Sequence, residues 1–372
     1  MKRRELVLVT GGAGFIGSHL VDALIGKGYR LRVLDNLSPP THNGKLPDWF
    51  NKKAEFVKDD VRERKGWLKS LKGVNYVFHL ASYMDYHLDF SKYFDTNVGS
   101  TALLYETIIK YKLPVKKIIV ASSQSIYGEG KYLCAKHGVF YAEPRPKTQL
   151  SKNQWEIRCP KDGTIAKILP EEEGDEFRPQ IPYAISKVAS EKLCLTLGKT
   201  YKIPTVALRY SIVQGSRQSF RHFYSGALRD FSIRALAGLP IVMQEDGQQI
   251  RDFVNVHDVV DAHLLALQNK NADYEVFNVG SGKDTKVNEL ARTVCETAGV
   301  SFQSEMLGEF RINSPRHSKM NVDKLKALGW TPKRTLEDSV HEYVEWVRGY
   351  PQAISYWKKT YETIRKENIL KR

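Results

Sequence analysis

The chain has 372 residues, 42% of them hydrophobic and 27% charged, which excludes wholesale disorder and a collagen-like repeat. Lys and Arg number 57 against 42 Asp and Glu, a formal net charge of +15. The excess is diffuse and fits acidic small molecules; the chain has no zinc-finger, basic-zipper or RNA-binding aromatic pattern, so a nucleic-acid partner is not expected. No apolar run spans a bilayer, and the basic start lacks the long apolar stretch of a signal peptide. The expectation is a cytoplasmic protein without a membrane partner, whose length suits two domains or one large α/β domain with insertions. Cys134, Cys159, Cys194 and Cys295 do not form a disulfide framework, and the last two sit in helical patterns as buried thiols.

Residues 6–10 form a short apolar run of the kind found in buried parallel strands. Gly11, Gly14 and Gly17 follow at once, with Phe15 and Ile16 between them, and a helical pattern covers residues 18–27. A second strand over 31–35 ends in Asp35. Strand, glycine triplet, helix, strand and terminal acid make a dinucleotide-binding βαβ unit. The glycines allow a tight turn, backbone approach to a pyrophosphate, and close packing of helix on strand. An acid at Asp35 accepts hydrogen bonds from an adenosine 2′-hydroxyl and repels a 2′-phosphate, which favours NAD over NADP.

Further strands are expected at 54–57, 74–80 and 117–121, with a helix over 97–111. This alternation predicts a Rossmann-type doubly wound parallel sheet. Tyr183 and Lys187 then stand four apart entering a helix over 188–201, on one face. An ordinary tyrosine, with a pKa of about 10, is a poor base at neutral pH. A nearby lysine and a cationic nicotinamide both favour the phenolate. Tyr183 can then accept a proton from a sugar hydroxyl while Ser123 hydrogen-bonds the same oxygen.

With these pieces in place, the chain resembles the extended short-chain dehydrogenase/reductase family and its nucleotide-sugar branch. The resemblance spans roughly residues 5–345. It rests on residues 10–17, Asp35-Asn36, Asp60-Val61, His79-Leu80-Ala81, residues 122–128, residues 183–187, Leu208-Arg209-Tyr210 and residues 251–254. It implies catalytic roles for Ser123, Tyr183 and Lys187. It extends the cofactor set to Asn36, Asp60, Val61, Leu80, Ala81, Ser82, Asn97, Ser122 and Tyr210. It also implies a homodimer built on the helices near 98–111 and 183–201.

Within the family, 4,6-dehydratases place an Asp-Glu pair where this chain has Gln124 and Ser125. The six-carbon dehydrogenases need a nucleophilic cysteine that none of the four resembles, and reductases usually prefer NADP. The resemblance therefore points to an NAD-dependent nucleotide-sugar 4-epimerase. A dehydrogenase or reductase, or a silent NAD-binding protein, is the alternative. The family's Phe-Asn-Val triplet is replaced by Ser211-Ile212-Val213, and residues 214–219 depart from the usual Tyr-Gly-Pro-Gly. These departures leave sugar and base open. Expected substrate contacts are Tyr83, at the head of a loop running to His87, Ser125, and Arg251 and Arg316 as diphosphate ligands.

The domain expectation is a cofactor domain over 1–207, interrupted by an insertion at 129–180. An interleaved, smaller mixed α/β substrate part over 208–345 and a basic helical tail over 346–372, with a solvated face, follow. The insertion is longer than ordinary connecting loops and is expected near the mouth of the site, as a lid or a substrate-selecting element. Its Cys134-x-x-His137 and Cys159-x-x-Asp162 pairs have the spacing of a zinc knuckle. A carboxylate as fourth ligand is uncommon for structural zinc, so the expectation is a loop without metal.

Overall fold

The computed structural model describes residues 5–85, 88–222, 226–366 and 370–371. Seven strands form the central sheet: β1 (Leu6–Thr10), β2 (Arg30–Asp35), β3 (Glu55–Lys58), β4 (Tyr76–His79), β5 (Lys117–Ser123), β6 (Thr205–Tyr210) and β7 (Val276–Val279). Their order is β7-β6-β5-β4-β1-β2-β3, and every neighbouring pair is parallel. Val7, Val9, Ile119 and Ala121 enter one core cluster, while Leu6, Leu8, Ile118 and Val120 enter another on the opposite face. Burial on both faces explains why these strands read as continuous apolar runs.

The order reverses at β1, which pairs with β2 on one side and β4 on the other. That reversal opens a crevice at the carboxyl ends of the strands. Thr10 stands beside Leu34 and His79, and Ser123 beside Tyr210, so the predicted site residues line one edge. The first helix, Phe15–Gly26, starts inside the glycine turn, three residues before the expected bound. Asn97 lies in a π-helical turn, Phe94–Gly99, that runs into the helix Ser100–Lys110. The helix Pro182–Thr200 opens with proline at a position where its missing N–H is not needed.

A second core surrounds Phe231, Leu290, Val294, Val340, Tyr343 and Val344. It packs the helices Gly226–Leu236, Val287–Ala298 and Leu336–Arg348 together. Short paired strands accompany it, including Ile212–Gln214 with Phe253–Asn255 and Ile250–Arg251 with Thr285–Lys286. The basic tail exposes Lys358 and Lys359 on one face and packs its opposite face inward. In its helix Ala353–Lys366, Ala353 and Trp357 are buried in this second core, and Trp357 Nε1 donates to Asp230 at 2.6 Å. The insertion is a small antiparallel sheet of Lys131–Cys134, Gly138–Tyr141 and Lys167–Ile168. Tyr132, Ile157 and Ile168 form its core. Among the described residues no helix is long and apolar enough to cross a membrane.

Candidate active site

The glycine turn is shaped by close backbone approach. Gly11 has φ +68°, and a Cβ on Gly17 would lie 2.3 Å from the Gly11 carbonyl oxygen. An alanine at 17 would therefore push helix and strand apart. Asp35 Oδ2 accepts from the Ala13 N–H at 3.1 Å and Oδ1 from Leu37 at 2.9 Å. The carboxylate thus braces the loop while standing at the end of β2, and its remaining lone pairs suit a ribose hydroxyl. Asn36 Nδ2 donates to Asp60 Oδ2 at 2.9 Å, and Arg62 binds both Asp60 oxygens at 3.0 and 2.8 Å. Burial pushes the Asp60 carboxyl up, but the Arg62 and Asn36 hydrogen bonds win and hold it at about 2. Val61 is buried and its carbonyl accepts from Trp67 Nε1.

His79 is buried between Thr10 Oγ1 (2.8 Å) and Ser100 Oγ (3.1 Å). Burial lowers its pKa to about 3, so the ring is neutral. Thr10 Oγ1 also accepts from the Leu80 and Ala81 N–H groups, both at 3.1 Å, fixing the chain after β4. Asn97 completes this brace. Its Oδ1 accepts from the Tyr83 N–H at 2.7 Å and from Ser82 Oγ at 3.0 Å, while its Nδ2 donates to Ser186 Oγ at 2.9 Å. Tyr83 packs edge-on against Tyr93 with ring centroids 4.9 Å apart. Tyr86 and His87, at the end of the expected substrate loop, lie outside the described residues.

The predicted catalytic three come together. Tyr183 is 9% exposed and hydrogen-bonds the Ser123 side chain. Ser123 Oγ in turn accepts from the Ser125 N–H at 3.1 Å and hydroxyl at 3.0 Å. Lys187 Nζ donates to the Ala121 carbonyl at 3.0 Å and lies 5.7 Å from the centre of the Tyr183 ring. Burial pushes the phenol up to about 12, against the Ser123 hydrogen bond, and pulls the Lys187 ammonium down to about 8. Without a cofactor's positive charge the phenol therefore holds its proton at neutral pH.

Two expected cofactor residues spend their side chains elsewhere. Ser122 Oγ donates to Glu191 Oε2 at 2.6 Å, and the Tyr210 hydroxyl pairs with His263 Nε2 at 2.8 Å. Arg209 joins Glu191 in a buried ion pair at 2.6 Å and also donates to the Tyr127 hydroxyl. The sequence motif contains Arg209, but it does not reveal that this arginine secures the catalytic helix to β6.

Arg251 and Arg316 separate sharply. Arg251 is half-buried and gives three hydrogen bonds, to the carbonyls of Ile250, Pro315 and Arg316 at 2.8–2.9 Å. Its Nε and one Nη2 hydrogen have no described partner. Arg316 is fully buried, and all its donors go to carboxylates: Glu156, Glu245 and Asp246, at 2.6–3.0 Å. No donor remains for a phosphate, so the expected diphosphate role of Arg316 is corrected to a structural one. Arg145 of the insertion joins the same network through Glu245 at 2.9 Å. Burial raises the adjacent Glu129 carboxyl to about 7 despite Arg145, and Glu129 accepts from the Arg316 N–H. A cleft of ≈ 280 Å³ opens beside this network, lined by Glu143, Pro144, Arg178, Gln180 and Asn313. Both polar ends of the Gln180 amide are buried there without a hydrogen-bond partner; no motif had marked it.

The four residues of the knuckle-like pairs, Cys134, His137, Cys159 and Asp162, also converge, with all ligand atoms within 4.8 Å of one another.

The NAD dependent epimerase/dehydratase family model matches residues 7–149 and 160–280. A dTDP-L-rhamnose 4-epimerase of Burkholderia thailandensis is 32% identical over 349 residues, covering 92% of this chain and 94% of that protein. A putative UDP-glucose 4-epimerase of Methanocaldococcus jannaschii is 32% identical over 353 residues, 92% and 98% of the two chains. The structure of UDP-glucose 4-epimerase of Thermus thermophilus in complex with NAD aligns with TM-score 0.73 at 30% identity, over 93% of this chain and 99% of that one. The glycine cradle, the acid closing β2 and the Ser123–Tyr183–Lys187 group fit that likeness, and the chain is a member of the NAD-dependent epimerase/dehydratase family.

Proposed function

We propose that the protein is an NAD-dependent nucleotide-sugar 4-epimerase. The observation that carries this reading is the Ser123–Tyr183–Lys187 group at the end of β5, beside a glycine turn built for a dinucleotide. The NAD-bound relative and the 4-epimerase relatives support both cofactor and reaction. NAD, when bound, supplies reversible hydride acceptance at sugar C4 and the positive charge that the Tyr183 pocket lacks.

The chain's own residues handle the proton. Tyr183 takes the C4 hydroxyl proton as the carbon is oxidised and returns it after the 4-keto sugar has turned over. Ser123 holds the same oxygen in both directions. Lys187 keeps positive charge beside the phenol and, through the Ala121 carbonyl, fixes the helix that carries it. Dehydration lacks its acid and base: Gln124 Oε1 accepts from Ser318 Oγ at 2.6 Å, and Ser125 Oγ donates to Ser123. Neither residue offers a carboxyl.

On the substrate side, Arg251 retains donors for a diphosphate and Tyr83 stands at the crevice. The insertion is tied to the substrate part by the ion pair of Arg145 with Glu245 and by that of Glu156 with Arg316, which supports its role as a lid. A homodimer is supported by the exposed apolar residues Phe90, Phe94, Tyr111, Ile185 and Tyr201 on or beside the packed helices 100–110 and 182–200. A cytoplasmic setting suits a nucleotide-sugar substrate and four unpaired thiols. Conversion of UDP- and dTDP-sugars to their C4 epimers, without added NAD and without NADH release, tests the reading. No conversion across such a panel by NAD-loaded protein would overturn it.

A further inference from the structure

The insertion carries two turns of the same design. Cys134-x-x-His137-Gly138 closes the hairpin of Lys131–Cys134 and Gly138–Tyr141, and Cys159-x-x-Asp162-Gly163 closes a second hairpin at the Arg158–Ile165 bridge. Gly138 and Gly163 have φ +81° and +73° with open space around them, so each turn closes through a left-handed residue at the same place. In each, the backbone N–H groups two and three residues on turn toward the cysteine sulfur: Lys136 and His137 to Cys134, Lys161 and Asp162 to Cys159. The two turns then face each other.

His137 Nδ1 sits at their centre. It lies 3.6 Å from Cys134 Sγ, 3.4 Å from Cys159 Sγ and 3.4 Å from Asp162 Oδ2. One ring nitrogen cannot serve three partners at once, and 3.4 Å is long for a hydrogen bond to a carboxylate. The distances instead match ligand–ligand edges of a tetrahedron. Zinc–sulfur bonds of about 2.3 Å and zinc–nitrogen or –oxygen bonds of about 2.0–2.1 Å place sulfur and nitrogen about 3.5 Å apart, and nitrogen and oxygen about 3.3 Å apart. Cys134 and Cys159 are 1% and 3% exposed, while His137 is half-buried and Asp162 exposed, so the two sulfurs face inward and the carboxylate stands on the solvent side of the group.

We propose that the insertion binds one zinc ion through Cys134 Sγ, His137 Nδ1, Cys159 Sγ and Asp162 Oδ2. The cysteines bind as thiolates, releasing their two protons, with His137 neutral and Asp162 ionised. Exposed Lys136 and Lys161 offset the remaining negative charge. Four protein donors fill the coordination sphere, so the ion is structural rather than catalytic. Its purpose lies in the chain between the turns. Arg145 and Glu156 both fall there, and both enter the ion network of Glu245 and Arg316 beside the cleft. The metal ties one end of the insertion as that network ties the other, fixing the lid over the substrate part.

The test is elemental analysis of the full chain, purified with reductant and zinc supplementation and then freed of loose metal on a desalting column. About one zinc per chain is expected, with loss to below a tenth in Cys134→Ser/Cys159→Ser and retention in Cys295→Ser. NAD content of the same samples reports folding, and the variant is expected to keep NAD while losing zinc. Cobalt(II) in zinc's place should show thiolate charge-transfer absorption and tetrahedral d–d bands. Absence of zinc from the unmutated chain, iron in its place, a Cys134–Cys159 disulfide, or zinc retained in the double variant would overturn the assignment.

Discussion

Lys187 Nζ donates to the carbonyl oxygen of Ala121 at 3.0 Å, which fastens the helix bearing Tyr183 to the strand bearing Ser123. The contact holds base and oxygen-binding hydroxyl in one frame, and it does so with a buried cation whose pKa is pulled down to about 8.

That depression has a stability consequence. Lysine in the unfolded chain titrates near pH 10.4, so between about pH 8 and pH 10 the unfolded state binds more protons and stability from this group rises with pH. Below pH 8 the buried cation costs up to roughly 3 kcal/mol relative to high pH. Lys187→Met should therefore be more stable than the unmutated, NAD-free protein at pH 7, with the advantage shrinking toward pH 10. Its turnover should be severely reduced. Thermal unfolding across that range checks this; a constant difference would contradict the buried-cation account.

Tyr183→Phe removes the proton acceptor and keeps the ring. NAD binding and folding should survive while turnover falls roughly 10²–10⁴-fold. Ser123→Ala should cost less, since the base remains. Initial rates with matched NAD occupancy decide it, and an active Tyr183→Phe enzyme would remove the tyrosine from the chemistry.

Asp35→Ala should weaken NAD binding and narrow the preference over NADP. Because Asp35 also braces Ala13 and Leu37, the melting temperature should fall slightly as well. Titration of both dinucleotides into NAD-free protein gives the comparison; equal affinities in the unmutated chain would contradict the ribose role.

The two arginines should part company. Arg316→Ala leaves the carboxylates of Glu156, Glu245 and Asp246 without their shared cation and should destabilise the fold by about 3–5 kcal/mol. Arg251→Ala should raise KM for a nucleotide sugar ten-fold or more, in keeping with roughly 1.5–3 kcal/mol for a charge-assisted contact, with little effect on NAD binding. Denaturant unfolding and steady-state kinetics of both variants separate the cases.

The cofactor half was legible because each requirement there is local. A close approach needs glycine at 17, a ribose acid must end β2 at Asp35, and two groups four apart on a helix must share a face. The rest depends on partners distant in sequence. Arg316 looked like a phosphate ligand until Glu156 and Asp246, 160 and 70 residues away, enclosed it. Asn97 enters the expected cofactor set only through the resemblance, and nothing local in the sequence shows that it joins the loop at Tyr83 to the helix at Ser186. Trp357 belongs to a basic tail by composition, but its ring completes the second core. The Cys134 and Cys159 turns showed ligand spacing; only the pairing of Lys131–Cys134 with its two neighbouring strands brings the turns face to face.

The central claim is that hydride leaves and returns at C4 within one site while Tyr183 carries the hydroxyl proton. A UDP- or dTDP-sugar deuterated at C4, incubated with the NAD-loaded enzyme in ordinary water, measures this directly by mass spectrometry and NMR of the epimer. The account predicts that the product keeps the label at C4, with no solvent hydrogen entering and no NADH accumulating. Loss of the label to solvent, or stoichiometric NADH release, would contradict it.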